Sequence, residues 1–319
     1  MTISMPTIPD GRADDLHGPE DAIGSDLNLF MAGNQFMVMP ELLEAFKEVC
    51  PQVHTVYYQT LPPGLQLKQV LAGGALFRGK TLQAMADVYT GVSREGIKAL
   101  ERAGKIDTGG YRVYLHNRLA LMLPAGNRAG IRSIQDLGRG DVRISQPDPA
   151  NEDIAGYITD MYREAGGDRL VARIMEEKRA EGTTIMTRVH HRETPLRIRL
   201  KTVDAGPVWA TEAVHAAGGG LSFERLDPGP ELDQRHHIRY FACRLRAAPH
   251  PDNAERFMAF LVSVTARGIY EKYGFVAPGA SLALPGDEPQ AGGGVHRGSA
   301  SAAPRRSQLS SVSVRGPDG

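Results

Sequence analysis

A chain of 319 residues, 41% of them apolar, is too long for one compact core and suits two α/β lobes. Its 37 Lys and Arg balance 37 Asp and Glu, so no net field draws it to nucleic acid or to an anionic membrane surface. No apolar run reaches the roughly 18 residues that a membrane-spanning helix needs.

Residues 1–25 carry Asp10, Asp14, Asp15, Glu20 and Asp21 among turn-forming neighbours. They contain no basic n-region and no apolar h-region, so they do not read as a secretory signal. Disorder is expected for them. LNLFMAG (27–33) reads as an apolar strand ending in a turn. Pro40 starts a helix whose stripe is Leu42, Leu43, Phe46 and Val49, and Pro51 stops it. VHTVYYQ (53–59) is a β-branched and aromatic strand, followed by the turn Pro62-Pro63-Gly64 and a helix with Leu65, Leu67, Val70 and Leu71. DVYTG (87–91) is the next strand, and Ser93 caps a helix that ends at Gly104.

The alternation continues. RLALMLP (118–124), DVRIS (141–145), DAGPVWA (204–210) and IRYFACRL (238–245) read as strands, and 154–165 and 168–179 as helices. A last helical stretch from about 252 to 273 presents Phe257, Phe260, Leu261, Val264, Ile269 and Tyr270. This rhythm predicts parallel sheets covered by helices. Residues 285–319 are rich in Gly, Ser and Ala and lack large apolar side chains, so they are expected to be disordered. Cys50 and Cys243 have no metal-ligand or redox spacing and read as two separate buried thiols.

There is no GxSxG elbow, no P-loop, no GxGxxG after a strand and no HExxH, so no catalytic constellation stands out and no cofactor is implied. The informative places are the handovers from strand to helix, where open α/β sheets bind ligands and helix starts favour anions. Three are legible: Gly33-Asn34-Gln35, Pro62-Pro63-Gly64, and Ile154-Ala155-Gly156-Tyr157 after QPDPANED (146–153). TRVHHRETP (187–195) crowds Arg188, His190, His191, Arg192 and Glu193 together. It reads as a solvated surface turn, as an anion-facing helix start, or as a metal-ligating group. Trp209, the one tryptophan, stands at a strand end and is either core or pocket wall.

In this order the motifs resemble the molybdate-binding proteins of ABC importers, within the type II periplasmic binding protein superfamily. The likeness rests on LFMAGNQF (29–36), LAGG (71–74), MADVYTG (85–91), AGKID (103–107), NRLALMLP (117–124), IAGYIT (154–159), AGPVWA (205–210), FMAFL (257–261) and EKYGF (271–275). It implies a two-lobed type II periplasmic-binding-protein fold with a ligand cleft between the lobes. The first lobe is expected from 26–112 and 247–284, and the second from 113–246, with crossings near 111–118 and 236–246. The cleft is expected between Asn34, Gln35, Pro63, Gly64, Ala155, Gly156, His190, His191, Arg192, Glu193 and Trp209.

The resemblance implies a monomeric solute-binding protein, not an enzyme, that captures a small molecule or oxyanion for a membrane ABC permease, without nucleic acid. Periplasmic location follows from the resemblance. A cytosolic ligand sensor on the same fold is the alternative. The family holds its oxyanion with two serine hydroxyls and a tyrosine. Here Asn34 takes the first serine position, Pro63 or Gly64 the second, and Trp209 the tyrosine position, so a ligand larger than molybdate, or differently charged, fits better. Truncation at Asp287 should leave the melting temperature unchanged, because the tail has no core-forming side chains. A drop in a thermal melt would show that it docks.

Overall fold

The computed structural model describes residues 4–18, 22–150, 152–189 and 192–278. Two short strands, β1 (Thr7–Ile8) and β2 (Leu16–His17), flank a 3-10 turn at Asp10–Asp15. Disorder, expected over 1–25, is therefore corrected for residues 4–18. Ile8 and Leu16 bury in a small apolar cluster with Leu61 and Ala75, a gain that the acidic composition of the segment conceals.

The alternating part follows: β3 (Leu27–Phe30), α1 (Met39–Val49), β4 (Val56–Gln59), α2 (Pro63–Ala72), the hairpin β5 (Ala75–Phe77) and β6 (Lys80–Leu82), β7 (Val88–Gly91), α3 (Arg94–Arg102) and β8 (Tyr111–His116). Pro40 and Pro63 sit in the first turns of their helices, where a missing N–H costs nothing. The Ser93 hydroxyl caps α3 by accepting from the Gly96 amide at 3.2 Å. The middle of the chain builds β9 (Leu119–Pro124), β10 (Ile144–Gln146), α4 (Ile154–Ala172), α5 (Lys178–Ala180), β11 (Thr184–Met186), α6 (Glu193–Arg199), β12 (Gly206–Trp209), α7 (Ala210–Gly218) and β13 (Phe223–Leu226). The chain returns through β14 (Arg239–Arg244), α8 (Pro251–Phe260) and α9 (Val264–Lys272).

The first lobe is a six-stranded sheet in the order β2-β4-β3-β7-β14-β8. β3 runs parallel to β4 and β7, whereas β14 is antiparallel to β7 and β8. The second lobe holds the antiparallel sheet β12-β9-β13 and the parallel pair β10-β11, joined by a bridge from Ile144 to Ala205. The boundary expected at 113 and 246 shifts. β8 and β14 pair with each other inside the first sheet, so the chain crosses near 117 and near 238. Apolar pattern marks both segments as strands and is silent about which sheet they join. The last helices lie on the first lobe, where Phe46 meets the rings of Phe257 at 5.0 Å and Phe260 at 5.4 Å.

Two other boundaries differ. α4 runs through Gly166 and Gly167 with a local break, Gly167 taking φ +69°, where two separate helices were expected. The single final helix is two, because the Ser263 hydroxyl caps a new start by accepting from the Ala266 amide at 3.1 Å. Both cysteines are buried free thiols. The tail 285–319 lies outside the described residues.

Gln35 is fully buried at the centre of a polar knot. Its Oε1 accepts from the hydroxyls of Tyr114 on β8 and Tyr270 on α9, each at 2.9 Å, and its Nε2 donates to Thr90 Oγ1 at 3.2 Å. Gln35→Leu should lower stability by about 1–3 kcal/mol for each buried hydroxyl that loses its acceptor, read from urea unfolding midpoints. A midpoint equal to wild type would show that the knot relaxes freely.

Burial lowers the pKa of His17 and of His116 below the usual 6.5. The native state thus refuses protons that the unfolded chain accepts. Stability should hold at and above pH 6.5 and fall as pH drops below it toward the lowered native values. Melting temperatures between about pH 7.5 and about pH 5.5 test this, and a His17→Gln, His116→Gln double variant should flatten the slope.

Candidate functional site

Five strand ends converge on one pocket between the lobes. Behind β3 come Ala32, Gly33 and Asn34; behind β4 come Thr60, Pro62 and Pro63; Val92 follows β7. The second lobe brings Glu152, Asp153 and Ile154 after β10, Arg192 before α6, and Trp209 at the end of β12. Arg12 of the N-terminal segment completes the wall. Its free volume is about 20 Å³, on the scale of a single water molecule.

The residues expected at the cleft divide. Asn34, Pro63, Arg192 and Trp209 meet there. The Asn34 amide also donates to the Tyr240 hydroxyl, which ties the turn after β3 to β14. Gln35 does not face the cleft, because its amide is committed to the buried knot described above. Gly64 lies one step outside, on an adjoining surface pocket with Lys68 and Val189. Ala155 is buried within α4 and Gly156 points into open space, so neither lines the pocket; the α4 approach presents residues 152–154 instead. Glu193 serves its own loop. Its carboxylate accepts from the amides of Arg188 at 2.9 Å and Val189 at 2.7 Å and from Arg197 at 2.8 Å. His190 and His191 lie outside the described residues. Among the described residues, no group of His, Cys, Asp and Glu is placed to hold a metal ion.

Sequence reasoning missed Arg12, Thr60, Glu152 and Asp153. Thr60 is the telling omission. Its hydroxyl is fully buried on the pocket wall and has no hydrogen-bond partner among the described residues. A buried hydroxyl without a partner costs free energy and so marks a place made for one. Pro63 and Gly64 carry no hydroxyl, and Thr60, directly after β4, brings one to the pocket wall. The signal was legible in TLPPG (60–64), where Thr60 follows the strand and the prolines remove two amides.

The electrostatics are a closed exchange of charge. Arg12 Nη2 donates to Glu152 Oε1 at 2.7 Å and to the Val189 carbonyl, and Nη1 reaches Asp15 Oδ2 at 3.3 Å. Arg192 donates to Asp15, lies 3.8 Å from Asp14 and stands over the Phe36 ring at 4.3 Å. Trp209, 3% exposed, packs near Tyr157 at 5.9 Å and Tyr240 at 6.4 Å. Burial, helped by the negative charge of Asp153, pushes the Tyr157 hydroxyl up to about 12. It therefore stays protonated and donates to the Val92 carbonyl at 3.0 Å, across the lobes.

The arrangement can bind and enclose. It offers guanidiniums, a hydroxyl, an amide and an indole wall.

No curated protein matches the chain. Solved structures do. The periplasmic molybdate-binding protein of Azotobacter vinelandii is similar with 18% identity and a TM-score of 0.62, over 79% of this chain and 99% of that one. The sulfate-binding protein SubI of Mycobacterium tuberculosis is similar with 18% identity and a TM-score of 0.62, over 80% and 87%. L-phospholactate-bound PEB3, a Campylobacter jejuni protein, is similar with 15% identity and a TM-score of 0.58, over 78% and 99%. At such identities the likeness establishes the two-lobed fold and nothing of the ligand. A profile of one protein family matches residues 27–276, nearly the whole described chain. The protein belongs to the bacterial extracellular solute-binding proteins.

Proposed function

We propose that this solute-binding protein captures a small organic anion between its lobes and delivers it to the permease of an ABC importer, outside the cytoplasmic membrane and without chemistry. The observation that supports this best is the unpartnered Thr60 hydroxyl on the wall of a pocket that also holds Arg12 and Arg192. A hydroxyl and guanidiniums are donors suited to an oxyanion. Glu152 and Asp153 on the same wall repel a compact dianion. An extended organic anion can set its oxyanion head against the hydroxyl and guanidiniums and hold its remaining charge away from the carboxylates, which a compact dianion cannot. The similar structures named for molybdate, sulfate and L-phospholactate support the anionic class. Capture proceeds by hinge closure about the two crossings, near 117 after β8 and near 238 before β14.

A thermal-shift series with molybdate, sulfate and phospholactate tests the reading. A ligand of the native state raises the melting temperature in proportion to its concentration over Kd. Phospholactate should act more strongly than either inorganic anion and should change the emission of Trp209. Thr60→Val keeps shape and removes the hydroxyl. It should weaken binding by about 1–3 kcal/mol and leave the unfolding midpoint near wild type, because no protein group loses a partner. Unmoved melting curves with all three anions would refute the anion reading. Wild-type affinity in Thr60→Val would remove Thr60 from the site.

A further inference from the structure

The segment from β1 to β2 is fastened to one lobe and grips the other. β1 pairs in parallel with β5, and β2 pairs antiparallel with β4. The Thr60 amide donates to the Asp15 carbonyl at 2.8 Å, and His17 stacks on Tyr58 at 4.1 Å. Both ends are thus held on the first lobe. The turn between them meets second-lobe groups through its charged side chains and Gly11. Arg12 donates to Glu152 and to the Val189 carbonyl, and Arg192 donates to Asp15. A Cβ at Gly11 would lie 3.2 Å from the Val189 side chain, so the backbone itself is seated against the second lobe. Arg12 is 4% exposed and Asp15 fully buried.

We propose that residues 7–17 form an intramolecular clasp that holds the cleft shut without solute, and that must release Glu152 and Arg192 before solute enters. The inference rests on the reading of this cleft as the solute site. The clasp supplies from within the chain the cross-lobe charge pairs that a bound ligand otherwise provides. It shifts the ligand-free protein toward the closed form, and incoming solute must first win an exchange against Arg12 and Asp15. Apparent affinity is reduced by the fraction of molecules whose clasp is released.

Trp209 reports the state of the cleft, since it lines the same pocket and is the one tryptophan of the chain. The experiment uses the full chain without solute. Acrylamide quenching of Trp209 should rise by about twofold or more in Arg12→Ala, with a larger radius of gyration in X-ray scattering, because the cleft opens. Glu152→Ala, which cuts the same bridge from the opposite lobe, should reproduce both changes. Arg78→Gln removes the exposed pairing of Arg78 with Asp10 on the outer side of the segment and should leave both readings at wild-type values. Quenching and size equal to wild type in either folded cleft variant overturn the clasp. Because no solute is present, this outcome is independent of the anion series. A protein without a clasp can still bind phospholactate, and a clasped protein can still refuse all three anions.

Discussion

The two side chains of the turn after β3 hold the molecule in register. Gln35 binds Tyr114 of β8 and Tyr270 of α9, while Asn34 binds Tyr240 of β14. Asn117, at the crossing into the second lobe, donates to the same Tyr240 hydroxyl at 3.2 Å and to Thr211 Oγ1 of α7 at 3.2 Å. One short turn is thereby joined to both crossing strands, to the returning C-terminal helix and to the start of a second-lobe helix. Buried amides and phenols leave no cheap alternative geometry, since each unmade bond costs the full desolvation of its group.

The pocket itself is nearly neutral by internal pairing. Arg12 and Arg192 meet Asp15 and Glu152, so the guanidiniums are present without an unbalanced field. Removing one partner of such a pair strands the other in a poorly solvated place. Within this pocket the Thr60 hydroxyl has no hydrogen-bond partner among the described residues. Trp209 gives the pocket an aromatic wall, backed by the Tyr157 ring at 5.9 Å.

Much of the fold was legible because its signals are local. Apolar stripes, Pro at helix starts, Ser93 as a cap and β-branched runs each act within one element, and the order of these elements resembles one superfamily. The site was legible only at its strand ends. Asn34, Pro63, Arg192 and Trp209 arrive where the pattern put them. Gln35 and Glu193 sit beside them in the chain but turn elsewhere, because adjacent residues on a tight turn face different partners. The N-terminal segment was misread for a related reason. Its carboxylates look solvated in composition, whereas Asp15 is buried between the guanidiniums of Arg12 and of Arg192 from the second lobe.

The amino-acid sequence by itself determined the class of fold, the family and the strand-to-helix junctions that edge the cleft. Periodicity, turn chemistry and motif order are properties of consecutive residues, so they survive without coordinates. The tertiary structure alone decided that β8 and β14 belong to the first sheet and that the Thr60 hydroxyl stands on the pocket wall. It also decided that Arg12, well over a hundred residues from Glu152 in the chain, closes the pocket. Those facts depend on pairings between distant segments, whose cost is loop closure and whose return is burial, and neither term is written in any single stretch of residues.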